Sequence, residues 1–351
     1  MSKTSYTQPW INKPLYDVAF ILLPPFLALL VVALLPAHFK NSGDMPVMVW
    51  VMLVLFVDVA HVYSTLYNTY LDKDRLRRHS RLFIFIPIVC YIAGVALHIW
   101  SGSLFWSVLA YLAVFHFIRQ QYGFMRLYAR RDDQPDWEKI IDGLAIYSAT
   151  IYPLIYWHCT PGRNFNWFID GDFIIGNSSL IKEFSGVIYL MIACAYIVKE
   201  GILLLRDEKI NIPKNGVIIG TYLSWYFGII YFNGDMAFTL LNVVAHGIPY
   251  MALIWSEMNR TEKKKTPAAQ GIKVKGYGLA VFVGSLILLA YLEEGLWDGF
   301  IWQDHKSVFG LFRFLPHISS DFVLALLVPL LSLPQSTHYV LDGFIWRKKY
   351  A

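Results

Sequence analysis

The chain has 351 residues, of which 56% are apolar, 17% aromatic and only 16% charged. So little charge excludes an ordinary soluble domain and matches a polytopic helical membrane protein with Trp and Tyr at its interfaces. The net charge of +5 comes from Lys and Arg gathered in a few loops, which reads as a topology signal and not as a nucleic-acid surface.

Lys3 and Lys13 precede a long apolar run with no small-residue cleavage site after it. That run, roughly 15–37, reads as a first membrane span and not as a signal peptide. Pro24-Pro25 is expected to kink it, because proline cannot donate to the helix ladder. The second span, about 46–71, carries Asp58-Val59-Ala60-His61. A basic stretch, Asp72 to Arg81, reads as a loop before a third span of roughly 82–100. The fourth span carries Phe115-His116-Phe117 and ends on Arg126, Arg130 and Arg131. The fifth and sixth fall at about 139–158 and 184–205, separated by a long polar loop, and the seventh at about 216–232. Asn233-Gly234-Asp235 turns into an eighth span carrying Ala245-His246-Gly247, followed by Lys263-Lys264-Lys265. The ninth covers about 276–292, and the aromatic stretch of roughly 293–319 reads as an interfacial or re-entrant piece. The tenth begins at Phe322 and carries Ser336-Thr337-His338-Tyr339-Val340-Leu341-Asp342 before the basic Arg347-Lys348-Lys349.

The basic segments follow the even-numbered spans, and the loops after odd-numbered spans are poor in Lys and Arg. The positive-inside rule then predicts an all-α bundle of about ten transmembrane helices, both termini cytoplasmic, forming a single integral membrane domain over 1–351. Cys90, Cys159 and Cys194 form no CxxC pair, so neither a zinc ribbon nor a disulfide framework is indicated.

An ionisable side chain inside a span is costly and marks a functional site by default. His61, His116, His246 and His338 each lie nine to eleven residues before a charge at the cytoplasmic end of an even-numbered span: Asp72, Arg126, Glu257 and Arg347. At about 1.5 Å per residue, that sets all four at a common depth of roughly 14–17 Å from it. Neutral imidazole is the commonest metal ligand and suits Zn, Cu, Fe and Ni. One metal held by one histidine from each of four helices needs no short motif. Asp58, Gln120 and Asp342 stand three or four residues from these histidines. They are candidates to receive a remote ring N–H and fix its tautomer, most readily for a histidine on a neighbouring helix. Tyr63, Tyr122, Tyr250 and Tyr339 are candidate pocket walls. The plainer alternative stands for each residue: a lone intramembrane histidine is ordinarily an interhelical hydrogen-bond partner, and the tyrosines are core. No Ser-His-Asp pattern or phosphate-binding glycine loop is visible, so no protein nucleophile or acid–base group is assigned.

The run His338-Tyr339-Val340-Leu341-Asp342-Gly343-Phe344-Ile345-Trp346-Arg347, with the His116-Phe117 pair, resembles motifs of the Brp/Blh-type β-carotene dioxygenase family. The likeness covers short stretches on four helices. That family's first motif is Pro-His-Gly with a nearby aspartate, whereas this chain has Ala60-His61-Val62 with Asp58 ahead of it, and its His-Gly pair is His246-Gly247. The resemblance implies a polytopic protein of a bacterial inner membrane with Fe2+ held by histidines from different helices. It further implies dioxygen as co-substrate and an apolar carotenoid or other lipid as the molecule oxidised or cleaved. The lipid bilayer and that substrate are the expected partners, with no nucleic acid. Rival classes use the same residues: a transporter or channel with a His/Asp proton path, a bis-histidine haem protein, and a metal-binding membrane protein without oxygenase activity.

The topology is directly testable. Cysteines introduced at Arg77, Arg131, Lys209 and Lys264 should resist a membrane-impermeant thiol reagent added outside intact cells. Labelling of Arg77→Cys from outside would overturn the assignment.

Overall fold

The protein is described here by a computed structural model covering residues 7–207, 210–264 and 277–346. Among these residues all regular structure is helical. A helix occupies each of the ten expected stretches: α1 (Pro14–Leu22 with Pro24–Leu34), α2 (Val47–Asn68), α3 (Lys73–Trp100), α4 (Gly102–Arg131), α5 (Asp136–His158), α6 (Ser179–Arg206), α7 (Ile212–Trp225), α8 (Asp235–Arg260), α9 (Gly278–Trp302) and α10 (Asp321–Leu331 with Leu333–Ile345). Seven of them are single helices long and apolar enough to cross a membrane, and the count reaches nine when the bent pairs α1 and α10 are each taken as one span. The tenth, α7, is helical and continues as a wide turn over Tyr226–Tyr231. Its regular helix is 14 residues long, shorter than the others that qualify as single spans. The chain is thus a helical membrane protein. The basic markers Lys209, Lys265 and Arg347-Lys348-Lys349 lie outside the described residues.

Two local readings are corrected, and one bend is added. The basic stretch after α2 is helix, not loop. Asp72 accepts from the backbone N–H of Asp74 and Arg75 at 3.0 and 3.1 Å, which caps α3 and starts it at Lys73. Lys and Arg are good helix formers, so charge alone does not end the helix, and the break comes instead at His79 (φ −124°, ψ 24°). The aromatic stretch after about residue 292 begins as a continuation of α9 to Trp302, ending on a wide turn over Asp298–Trp302. The last span is not straight: it bends by 43° between Leu331 and Leu333. Pro334 sits at the start of its second segment, where a missing N–H is tolerated. The expected kink in α1 is present, 45° at the step into Pro24.

By internal contacts the chain divides into two compact units, and both divisions within the span set fall inside unbroken helices, α4 and α8. The first unit comprises Met1–Asp44, Phe117–Asn166 and Phe173–Pro249. Here α5 packs on α6 and α7, and α7 packs on α1. Buried Lys199 and Lys214 pair with Asp142 and Glu200 inside it. The second unit comprises Met45–His116, Trp167–Asp172 and Tyr250–Ala351. In it α10 packs on α3 and α2, and α9 packs on α2. Leu55, Val59, Tyr250, Ile254, Leu286 and Phe309 form one of its cores. A wide helical turn over Val51–Val59 runs up to Ala60-His61. Such π-type segments recur at functional sites.

Helices α3 and α10 approach closely at Gly94 of α3. A Cβ there would meet the Pro329 Cβ of α10 at 2.9 Å and the Phe105 ring at 3.3 Å. Gly94→Ala should therefore overpack this contact and cost about 1–3 kcal/mol. Gly123→Ala, in α4 with nothing within 4 Å, should be neutral or slightly stabilising. Thermal unfolding of the two purified variants in one detergent checks the contrast.

Candidate metal centre

Each of the four intramembrane histidines comes from a different helix, and none is more than 2% exposed. Each offers one ring nitrogen, and these four atoms lie within 4.8 Å of one another. Four buried histidines gathered in this way fit a metal site.

Within the second unit the arrangement is resolved bond by bond. His116 on α4 and His338 on α10 bring their Nε2 atoms to 3.1 Å, with ring centroids 4.4 Å apart. The His61 ring of α2 lies 5.0 Å from that of His338 and 6.4 Å from that of His116. The far nitrogen of His116, Nδ1, stands 3.3 Å from Asp342 Oδ2. Asp342 Oδ1 accepts from Trp346 Nε1 at 2.6 Å. A carboxylate only accepts, so His116 carries its proton on Nδ1 and leaves the Nε2 lone pair facing inward. His338 Nδ1 lies 2.6 Å from Thr65 Oγ1, which is itself 3.1 Å from the Tyr250 hydroxyl. When His338 donates from Nδ1 to Thr65, its Nε2 lone pair also faces inward.

Two inward lone pairs 3.1 Å apart repel in a place that water does not reach. A cation between them removes that repulsion and gives each imidazole a coordinate bond. Two nitrogens bound to one ion at ~2.0–2.1 Å, with angles between a right angle and tetrahedral, are themselves roughly 2.9–3.4 Å apart. The observed spacing falls inside that interval. In the metal-free form the same contact is a single hydrogen bond from one Nε2 to the other, with Thr65 then donating to His338 Nδ1.

His246 lies in the first unit, where its ring stacks on Phe117 with centroids 3.5 Å apart. Gln120 does not hold an imidazole. Its amide donates to the His246 backbone oxygen at 2.9 Å, because an amide one turn along α4 can serve a helix carbonyl as readily as a ring. Asp58 stands 3.7 Å from His61 Nδ1 on its own helix, beyond hydrogen-bond length. Asp342 reaches across to a histidine of another helix, as expected for an orienting carboxylate.

The four tyrosines divide. Tyr250 puts its ring 5.1 Å from His338, 5.9 Å from His61 and 6.2 Å from His116. Tyr339 lies 5.3 Å from His116. Tyr63 donates to Glu293 Oε2 at 2.6 Å. Tyr122 stacks on Tyr147 instead, with Arg119 bonded to the Tyr147 hydroxyl at 2.6 Å.

Sequence reasoning missed Thr65 and Glu293. Thr65 is four residues after His61 and so shares its helix face, which is a usable signal. Glu293 was passed over because the ninth span was ended one residue before it. No family model, curated protein or solved structure matches the chain.

The geometry ranks the partners of the ligands. Asp342→Asn and Thr65→Val should each weaken metal affinity about 10–100-fold, since each releases a ring from its fixed tautomer. Asp58→Asn should weaken it less. Competition with a metal chelator, read as bound metal per protein, gives the order, and a larger effect at Asp58 than at Asp342 would reverse it.

Proposed function

We propose that the chain is a membrane-embedded non-haem iron oxygenase related to the Brp/Blh-type dioxygenases, which oxidises or cleaves an apolar molecule such as a carotenoid or another lipid. The observation that carries this reading is the buried histidine cluster, with Asp342 and Thr65 fixing the outer nitrogens of two of its rings. His61, His116, His246 and His338 are the ligands. When bound, Fe2+ supplies an open coordination position for dioxygen. Asp342 holds His116 in the Nδ1–H form, and Thr65 does the same for His338. The surrounding apolar helices exclude water and so protect reactive species from side reactions. Imidazole is common to zinc, copper, nickel and iron sites, and the choice of iron rests on the sequence resemblance.

A cavity of about 290 Å³ supports the apolar substrate. It lies in the second unit against His338, at the bend of α10, with Val62, Leu66, Pro87, Leu333 and Leu341 among its walls. A six-carbon ring fills a cavity of roughly 150 Å³, so this one takes on the order of twelve carbons.

A proton-path transporter is the rival that a specific observation favours. Glu293 is 5% exposed inside α9 and bonded to Tyr63, which is where a transporter would keep a carboxylate. Metal content separates the two. Purified protein should carry close to one iron per chain and show no Soret band. Each of the variants His61→Ala, His116→Ala, His246→Ala and His338→Ala should lose most of it while still inserting in the membrane. Expression in a carotenoid-producing host should bleach pigment or consume oxygen with another lipid. Full metal occupancy in two or more of the four variants would remove the shared site and leave the transporter reading in its place.

A further inference from the structure

Arg119 belongs to α4 in the first unit and is exposed, although its helix is long and apolar enough to span a membrane. Its guanidinium is held on one side. Nη1 donates to the Tyr147 hydroxyl at 2.6 Å, and the group stands 5.0 Å from the centre of the Tyr122 ring, which stacks on Tyr147. A guanidinium has five N–H donors, so most of those of Arg119 remain for another acceptor. Arg126 follows two turns later, on the same face of α4, and is exposed as well. Among the described residues, arginines pair with carboxylates at Arg75, Arg206 and Arg260, but not at Arg119 or Arg126. Between the two on that face lies Gly123, where a Cβ would meet nothing within 4 Å. The space beside both arginines is therefore open.

Their depth is set by the helix. At about 1.5 Å per residue from Gly102, Arg119 lies roughly 25 Å along α4 and Arg126 roughly 36 Å. A hydrocarbon core is about 30 Å thick, so the pair brackets its edge at the Arg-rich end of the helix, the level of lipid phosphates. Simple snorkelling of Arg119 to that edge is opposed. Helical side chains tilt towards the helix N-terminus, here away from the edge, and Tyr147 holds the guanidinium. A cation kept at such a place without a carboxylate calls for an anion from outside the protein.

We propose that Arg119 and Arg126 bind the headgroup phosphate of an anionic phospholipid, in the leaflet that the basic loops predict to be cytoplasmic. Arginine suits a phosphate because its planar fork donates two parallel, charge-assisted bonds. Tyr147 and Tyr122 hold the guanidinium before the lipid arrives, so little side-chain freedom is lost on binding. The acyl chain has a track on α5, where Ile140, Leu144 and Ile151 are all exposed and share the helix face of Tyr147. Two cations with no acidic neighbour favour a headgroup of net negative charge over one that carries its own cation. The site requires neither a metal nor the oxygenase reading.

The full chain is reconstituted in vesicles of equal parts phosphatidylglycerol and phosphatidylcholine, extracted in mild detergent, and its retained lipids are counted by native mass spectrometry. The wild type should keep phosphatidylglycerol over phosphatidylcholine by roughly tenfold or more, the range expected of a hydrogen bond to a charged group. Arg119→Gln should abolish that preference. Arg119→Lys, which keeps the charge and loses the fork, should retain part of it. Gly123→Leu, which fills the open space, should lower it. Arg126→Gln should weaken it too, and its exposed position keeps the comparison available if Arg119→Gln fails to insert. Millimolar inorganic phosphate should leave the lipid in place, because a free ion brings no acyl chain. Equal retention of the two lipids by the wild type, an unchanged preference in folded Arg119→Gln or Arg126→Gln, or displacement of the lipid by inorganic phosphate would overturn the proposal. Thermal unfolding in lipid-free detergent shows which variants are folded.

Discussion

Everything at the centre depends on two imidazole nitrogens held 3.1 Å apart where no water reaches them. Neither ring is free to turn away. His116 is tied behind by Asp342, and His338 by Thr65. The Asp342 carboxylate keeps the proton of His116 on Nδ1, while the Thr65 hydroxyl can accept from or donate to His338 Nδ1. A buried polar network of this kind is stable only when every member is satisfied. Asp342 spends its second oxygen on Trp346, and Thr65 shares its hydroxyl with Tyr250. The two inward Nε2 atoms face one another at 3.1 Å, in a cluster that fits a metal.

The irregularities of the helices serve the same arrangement. Between helices in lipid the hydrophobic effect is weak, so packing and polar contacts must choose the geometry. The wide turn before Ala60-His61 and the bend at Ser332 both fall within two turns of a ligand histidine. Bending α10 there separates its first segment, apolar after Asp321 and packed against Gly94 of α3, from a second segment that carries His338 and Asp342. The bend also opens the apolar cavity against His338. The segment after that one break thus carries a buried histidine, the carboxylate beside another, and a wall of the cavity.

The histidines and Asp342 were legible in the sequence because lipid makes them expensive, and a residue retained at such cost stands out against Leu, Val and Phe. The all-helical, apolar character of the fold was legible for the same reason. What escaped detection is equally physical. Threonine is cheap in a membrane helix because it can bond its own backbone, so Thr65 stands out only by its spacing from His61, although it meets His338. Gln120 was visible but ambiguous, since its amide can serve a ring or a carbonyl, and it serves the carbonyl of His246. Glu293 was lost to a boundary drawn where charge begins, yet α9 runs on to Trp302. The basic run after Asp72 was misread for a related reason: charge tells on which side of the membrane a segment lies, and not whether it is helical.

Glu293 also bears on how the site is held together. A carboxylate in the middle of an apolar span needs a reason to be there. This one faces Tyr63 and, at 3.4 Å, the Gln335 amide on the helix of His338. Tyr63 lines the same cavity as His338. The two oxygens of Glu293 are thus taken by hydrogen bonds from α2 and α10. Paired on both oxygens, the carboxylate joins α9 to the two helices that carry His61 and His338.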